Sequence, residues 1–215
     1  PNFIKNYYWQ NTAFGGLGLS FLRFLELENR IVGFVGISNW RLDASKMNRA
    51  LYLARPDPNE EDLIFTAMSI YNSFGIVEES THESVIEALA KAYSRLKLKY
   101  SDTDYADVYG LRDFYHMIKQ VAKALHQNPS MPREEVAGVA KKAIERNFGG
   151  NFGRIFNAVK EMGDFFTEEY HLGGLYRLIP DSNVLDLIKE NIVANDSRYL
   201  MLIGRGDAAT HIKHK

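Results

Sequence analysis

Seven apolar side chains recur at helical spacing between residues 111 and 125: Leu111, Phe114, Tyr115, Ile118, Val121, Ala122 and Leu125. Steps of three and four put all of them on one side of an α-helix, and a stripe that regular is stable only when buried against other apolar faces. The neighbouring segments supply such faces. Asp57-Pro58-Asn59-Glu60 predicts a helix start, with an acidic cap, proline at the first helical position and glutamate three residues after the cap. That helix is expected to run to about Asn72 and to end at Gly75. A second helix is predicted over His82 to Tyr100, with Val85, Leu89, Tyr93, Leu96 and Tyr100 along one side. The striped helix begins near Gly110 and stops at Asn128-Pro129. A fourth starts at Pro132 and ends at Gly149-Gly150, after Phe148. Weaker helical patterns follow at about Arg154–Phe166 and Asn183–Asn195.

The first quarter of the chain has a different character. Residues 1–18 are aromatic and dotted with glycine, without a period. Leu19, Leu22 and Leu25 suggest a short helix up to Glu28. Ile31-Val32-Gly33-Phe34-Val35-Gly36-Ile37 is a continuous apolar run, too short for a buried helix and rich in β-branched residues. It reads as a strand buried on both faces, as in a parallel sheet. One or two helical turns over Ala44 to Ala50 and a short strand at Leu51-Tyr52-Leu53 complete this part. Ser197 to Ile203 reads as a further strand, leading into Gly204-Arg205-Gly206. There is no internal repeat and no low-complexity tract.

Composition narrows the class. Hydrophobic residues make up 46% of the 215 and charged residues 25%, enough apolar material for a sizeable core. A formal net charge of −1 gives no general reason to expect nucleic acid or an anionic membrane as partner. Cysteine is absent, which removes disulfides and thiolate metal sites and is compatible with the cytosol. No apolar run approaches the roughly 18 residues a transmembrane helix needs. The opening Pro1-Asn2-Phe3, with no initiator methionine and no signal-peptide pattern, reads as part of a longer soluble protein.

Three polar positions stand out. Ser38-Asn39 emerges at the carboxyl end of the buried strand, where ligands of open α/β sheets bind. An amide there can position a water or a phosphate oxygen, or it can simply cap the next turn. Arg49 closes the short helix before the following strand. Its planar, permanently charged guanidinium suits a phosphate oxygen, although an arginine also interacts favourably with its own helix C-terminus. Arg112 lies in the first turn of the striped helix, within Tyr109-Gly110-Leu111-Arg112-Asp113. With His116, Lys119 and Lys123 it forms a basic line opposite the apolar face. Such a line is ordinarily the solvated side of an amphipathic helix, but a cation at a helix N-terminus adds to the attraction for phosphate.

The order Asn after a buried strand, Arg after the next short helix, then Arg opening a helix in a trailing helical block resembles the back half of an AAA-plus ATPase module. The wording is more specific. Gly33-Phe34-Val35-Gly36-Ile37-Ser38-Asn39-Trp40, with Leu42-Asp43 and Lys46-Met47-Asn48-Arg49, closely resembles the mysterin-like family of giant AAA-plus ubiquitin ligases with tandem ATPase units. Tyr109-Gly110-Leu111-Arg112-Asp113-Phe114-Tyr115, Arg146-Asn147-Phe148-Gly149-Gly150 and Asp196-Ser197-Arg198-Tyr199-Leu200 are similar to that family too. The likeness covers about Leu19 to Ile203.

The resemblance implies an α/β remnant of a P-loop AAA-plus core over residues 19–56, carrying sensor 1 (Asn39) and the arginine finger (Arg49). A mostly α-helical lid with sensor 2 (Arg112) would occupy 57–196, and the first strand of a following unit 197–215; residues 1–18 stay unassigned. It implies ATP and magnesium in the intact parent, with Asn39 and Arg112 touching nucleotide in cis and Arg49 reaching the neighbouring unit. The implied partners are neighbouring AAA-plus units of the same chain and the ubiquitination machinery of a cytoplasmic parent.

The departures limit this. No G-x-x-x-x-G-K-[ST] loop is present: Gly15–Ser20 lacks the lysine, and Gly149-Gly150-Asn151-Phe152-Gly153 is followed by arginine. No strand ends in Asp-Glu, and Glu26 and Glu28 lie too close to the sensor strand to replace that pair. The chain alone is therefore expected to bind no nucleotide firmly and to hydrolyse none. An alternative is a helical interaction module of a tandem AAA-plus chain, without nucleotide chemistry. The six histidines show no metal-ligand spacing, Arg205-Gly206-Asp207 is a chance tripeptide, and Glu60-Glu61-Asp62 and Glu168-Glu169 read as helix-terminal or solvated charge.

Overall fold

A computed structural model describes residues 51, 53–54, 56–75, 82–106, 108–149 and 157–194. The chain divides into two compact units, Pro1–Asp57 and Pro58–Lys215. In the first, Leu51 and Leu53 are exposed and belong to no strand. A strand exists only where another bonds to it, and the described residues hold none. The predicted strand Ile31–Ile37, the short helix over 44–50, the strand at 197–203 and the candidates Asn39 and Arg49 lie outside the described residues.

The described residues of the second unit form seven helices, in order α1 (Glu60–Asn72), α2 (Glu83–Tyr100), α3 (Leu111–Gln127), α4 (Arg133–Asn147), α5 (Ala158–Glu169), α6 (Leu175–Leu178) and α7 (Val184–Val193). α2 is the central element and packs against α1, α3, α4 and α5. α3 and α4 form an antiparallel hairpin: Asn128 to Pro132 turns the chain, and the start of α3 meets the end of α4. α2 and α5 are also antiparallel, with Arg95 facing Glu168 and Glu169 at one end and Lys99 facing Glu161 at the other.

Sequence logic explains most of these elements. On α3, Phe114, Ile118, Val121, Ala122 and Leu125 are fully buried, and Met117 joins them between two predicted positions. On α2 the expected Val85, Leu89, Tyr93 and Leu96 are buried, but so are Ile86, Ala88, Ala90 and Ala92. A helix enclosed on several sides needs small residues where its neighbours approach closely, and a periodicity drawn through bulky residues passes over alanine.

The start of α1 differs from expectation. Its cap is Asn59, two residues after Asp57. The Asn59 side chain accepts from the Asp62 N–H (2.8 Å), and the Asp62 carboxylate accepts from the Asn59 N–H (3.2 Å). This reciprocal box satisfies two otherwise unpaired amides, and it stands two residues later in the chain than a box between Asp57 and Glu60 would. α5 begins at Ala158, after an Asn157 cap whose side chain accepts from the Lys160 N–H at 3.0 Å. It runs three residues past Phe166, and Gly163 lies inside the helix where Tyr176 leaves no room for a side chain. The single-turn α6 is too short to leave a periodic signal.

Candidate functional site

The site that the sequence singles out, and that the described residues contain, is the start of α3. Gly110 is its N-cap, in extended conformation (φ −90°, ψ −179°). The Gly110 N–H donates to the Asp113 carboxylate at 3.0 Å, so the acid three residues into the helix returns to cover the cap. Burial raises the Asp113 carboxyl above its ordinary range, opposed by the Gly110 N–H, His116 and Arg112.

The register of this turn is fixed from behind by aromatic packing. Tyr109, 8% exposed, donates its hydroxyl to the Gly149 carbonyl at 2.8 Å. Its own carbonyl accepts from the Tyr93 hydroxyl at 3.2 Å. The rings of Tyr109 and Phe148 lie 5.3 Å apart, Tyr93 is 6.0 Å from Phe148, and Tyr93 stacks on Phe114 at 4.7 Å. Burial, with a smaller contribution from the Asp113 charge, pushes the Tyr109 phenol up to about 12. The two sequence blocks 109–115 and 146–149 thus meet at one corner, although residues 116–145 separate them in the chain.

On that support Arg112 is exposed, on the far side of α3 from Phe114. His116 is half-buried and Lys119 and Lys123 are exposed, so the basic line does lie opposite the apolar face. Arg146 faces inward between helices. Its guanidinium donates to the Asn191 side-chain oxygen on α7 at 2.9 Å. With the Gln120 amide of α3 turned so that its oxygen faces Arg146, that oxygen accepts from the Arg146 Nε–H at 3.1 Å. Arg146 therefore joins three helices.

The acidic pairs behave as surface chemistry. Glu168 and Glu169 both bridge to Arg95, at 2.7 and 3.0 Å, and Glu60, Glu61 and Asp62 occupy the first turn of α1. Among the described residues no group of three or more histidines and carboxylates is placed to hold a metal ion, and no helix is long and apolar enough to cross a membrane.

Comparison with known proteins places the chain. The family model described as RNF213 AAA domain matches residues 22–62, the stretch that carries Asn39 and Arg49. E3 ubiquitin-protein ligase rnf213-beta of Danio rerio is 34% identical over 188 residues, covering 84% of this chain. The chain is a relative of the mysterin-like AAA ubiquitin ligases. Human E3 ubiquitin-protein ligase RNF213 is 41% identical over 122 residues, 55% of the chain, and the mouse protein 32% over 193 residues, 84% of the chain. The chain spans only 2–3% of the length of these relatives. No solved structure matches it. The longer alignments cover more of the chain than the family match alone, so the likeness reaches well into the helical unit.

Sequence reasoning missed Lys142, Arg146 and Lys189 as members of one basic surface with Lys119 and Lys123. The visible signal was the pair Lys142 and Arg146, two cations four residues apart on one helix, which is unfavourable unless an anion lies nearby.

Proposed function

We propose that the chain is the sensor-and-lid segment of an ATP site in a mysterin-like AAA-plus ubiquitin ligase, incomplete without a phosphate-binding loop and a metal-binding acid supplied elsewhere. The observation that carries this reading is the presentation of Arg112. It stands exposed on the first turn of α3, where the helix dipole favours anions, and the turn behind it is held by Tyr109, Asp113 and Phe148. A guanidinium on a rigid support can contact a phosphate oxygen without disturbing the lid core. In this reading Asn39 orients the attacking water or a γ-phosphate oxygen, Arg112 bridges lid and nucleotide in cis, and Arg49 reaches the nucleotide of the next unit. Such groups act by positioning and by stabilising charge that develops on the transferred phosphoryl group, which is most of what phosphoryl-transfer catalysis requires. ATP and magnesium belong to the intact unit of a cytoplasmic parent. Neighbouring AAA-plus units and the ubiquitination machinery are its partners.

The test is Arg112→Ala in an intact parent unit that hydrolyses ATP. Loss of one charge-assisted contact in the transition state is expected to cost about 2–4 kcal/mol in turnover. The thermal midpoint should barely move, because exposed substitutions typically change stability by about 0.5 kcal/mol or less. Full turnover in that variant would return Arg112 to an ordinary solvated helix face.

A second reading, a helical interaction module without nucleotide chemistry, is favoured by α7. Val184, Ile192 and Val193 are 58–78% exposed there, and no residue of the helix is buried. ATP turnover by the intact unit, sensitive to Arg112, distinguishes the two.

A further inference from the structure

A groove of about 610 Å³ lies between α3, α4 and α7. Five cations line it: Lys119 and Lys123 from α3, Lys142 and Arg146 from α4, and Lys189 from α7; one carboxylate, Glu190, answers them. Glu190 is paired with Lys142. Lys119, Lys123 and Lys189 are exposed, and none of them makes an ion pair or hydrogen bond among the described residues. The chain as a whole carries 26 lysines and arginines against 27 acidic residues, so this concentration of charge does not follow from composition.

The arrangement opposes itself electrostatically. Lys119 and Lys123 stand four apart on one helix, and Lys142 and Arg146 stand four apart on the facing one. Each is a like-charge neighbour pair that destabilises its helix by a few tenths of a kcal/mol. The other cavity of similar size, between the starts of α2 and α4 and the end of α5, has no such imbalance. Its Lys91 pairs with Glu87 at 2.7 Å, and its Arg133 donates to the carbonyls of Tyr170 and His171 and lies over the Tyr170 ring. In that cavity both cations are partnered, whereas in the groove Lys119, Lys123 and Lys189 have no ion pair among the described residues.

We propose that the α3–α4–α7 groove is a binding site for a compact organic or inorganic polyphosphate. Several cations converging from three helices suit phosphates held close together on one small molecule, and the volume lies within the range of small-ligand pockets. Val139 and Ala143 in the lining offer an apolar wall for a carbon body beside the phosphates. Binding neutralises the two like-charge pairs and draws α7, which has no buried residue of its own, onto α3 and α4. The site is separate from Arg112, which does not line the groove.

The experiment uses the whole 215-residue chain at about 0.1 M salt, where charges are screened beyond about 10 Å. Sodium tripolyphosphate, inositol hexakisphosphate and metal-free ATP are titrated separately, by calorimetry and by thermal midpoint. Saturable one-to-one binding of tripolyphosphate with a rise in midpoint is expected. The double variant K119Q/K123Q should weaken it roughly tenfold, the scale of removing two partly screened charges near a surface, and Lys189→Gln should weaken it less. Lys160→Gln on α5 should bind as the parent does, and because Arg112 lies outside the groove, failure of the nucleotide-sensor reading leaves this result intact. Tighter binding of inositol hexakisphosphate than of ATP assigns a polyol body to the ligand, and the reverse order a nucleoside; either supports the site. The proposal is overturned by absence of binding at millimolar tripolyphosphate, or by undiminished binding in both groove variants. Equal binding of citrate, or preference for polyglutamate over every phosphate, would also overturn it.

Discussion

The corner where α3 begins and α4 ends and the flank where α7 meets α4 are two ways of joining helices in one small unit. At the corner, Tyr93, Tyr109, Phe114 and Phe148 form a contiguous aromatic cluster, with Phe148 1% exposed and two tyrosine hydroxyls satisfied by main-chain carbonyls. At the flank, contact is made by side-chain polar groups: Lys142 with Glu190, Arg146 with Asn191, and the Ser182 N–H on Glu145 at 2.9 Å. Apolar burial scales with the area removed from water, whereas exposed ion pairs contribute little. The corner is therefore expected to unfold with the whole unit. The flank should open on its own, which suits a helix that responds to a ligand or a partner.

The largest effect should come from breaking the corner. Phe148→Ala removes a buried ring that touches both Tyr93 and Tyr109, and is expected to cost about 3–5 kcal/mol. Chemical denaturation would show this as a lower midpoint with an unchanged slope. A loss below about 1 kcal/mol would mean that the cluster is loosely packed and that the turn carrying Arg112 lacks rigid support.

How far the sequence could be read follows the same division. Helix existence in α1 to α5 was legible, because bulky apolar residues at steps of three and four carry the signal and Pro or Gly marks the ends. The meeting of residues 109–115 with 146–149 was legible only as two blocks of family likeness, since periodicity says which face is buried but not against what. The Asn59 cap was displaced from Asp57 because both residues can cap, and only the Asp62 reciprocal bond decides between them. The basic groove was half visible. Lys119 and Lys123 share a helix, but Lys189 arrives from a helix whose docking depends on polar contacts 45 to 48 residues apart in the chain.

A smaller effect should sharpen the corner by a proton. Tyr109→Phe keeps the ring and loses the bond to the Gly149 carbonyl, for a cost of about 1 kcal/mol near neutral pH. The sign of the pH effect follows from the raised phenol. A folded value of about 12 against an ordinary 10 means that folding favours the neutral form. The stability this contributes is complete below pH 10 and is lost as pH rises towards 12. Tyr100, also pushed up to about 12 by burial and by Glu161, acts in the same direction. Tyr109→Phe should thus flatten part of the alkaline decline and Tyr100→Phe another part. Identical declines in the parent and both variants would show that neither phenol is coupled to folding.

The smallest effect on global stability, and the one that most directly tests the contrast, is Lys142→Ala. Lys142 and Glu190 are each more than two-fifths exposed as side chains, so their pair is screened and worth about 0–1 kcal/mol. α7 has ten residues, fewer than an isolated helix needs to persist in water, and it buries none of them. Its helicity therefore depends on the few contacts that hold it to α4, and removal of one should appear locally. Amide exchange over Leu187 to Val193 is expected to speed up severalfold while the amides of α2 and α3 keep the protection of the parent. If the flank instead belongs to the same cooperative unit as the corner, Lys142→Ala will lower the protection of α2, α3 and α7 together, and a Glu190→Ala variant will do the same. Arg146 and Asn191 provide the internal check, because their contact also bridges α4 and α7 and lies on the α3 side of the flank. Asn191→Ala should add to the local opening caused by Lys142→Ala, with the two effects summing if each contact holds α7 independently and falling short of the sum if the loss of one contact already weakens the other.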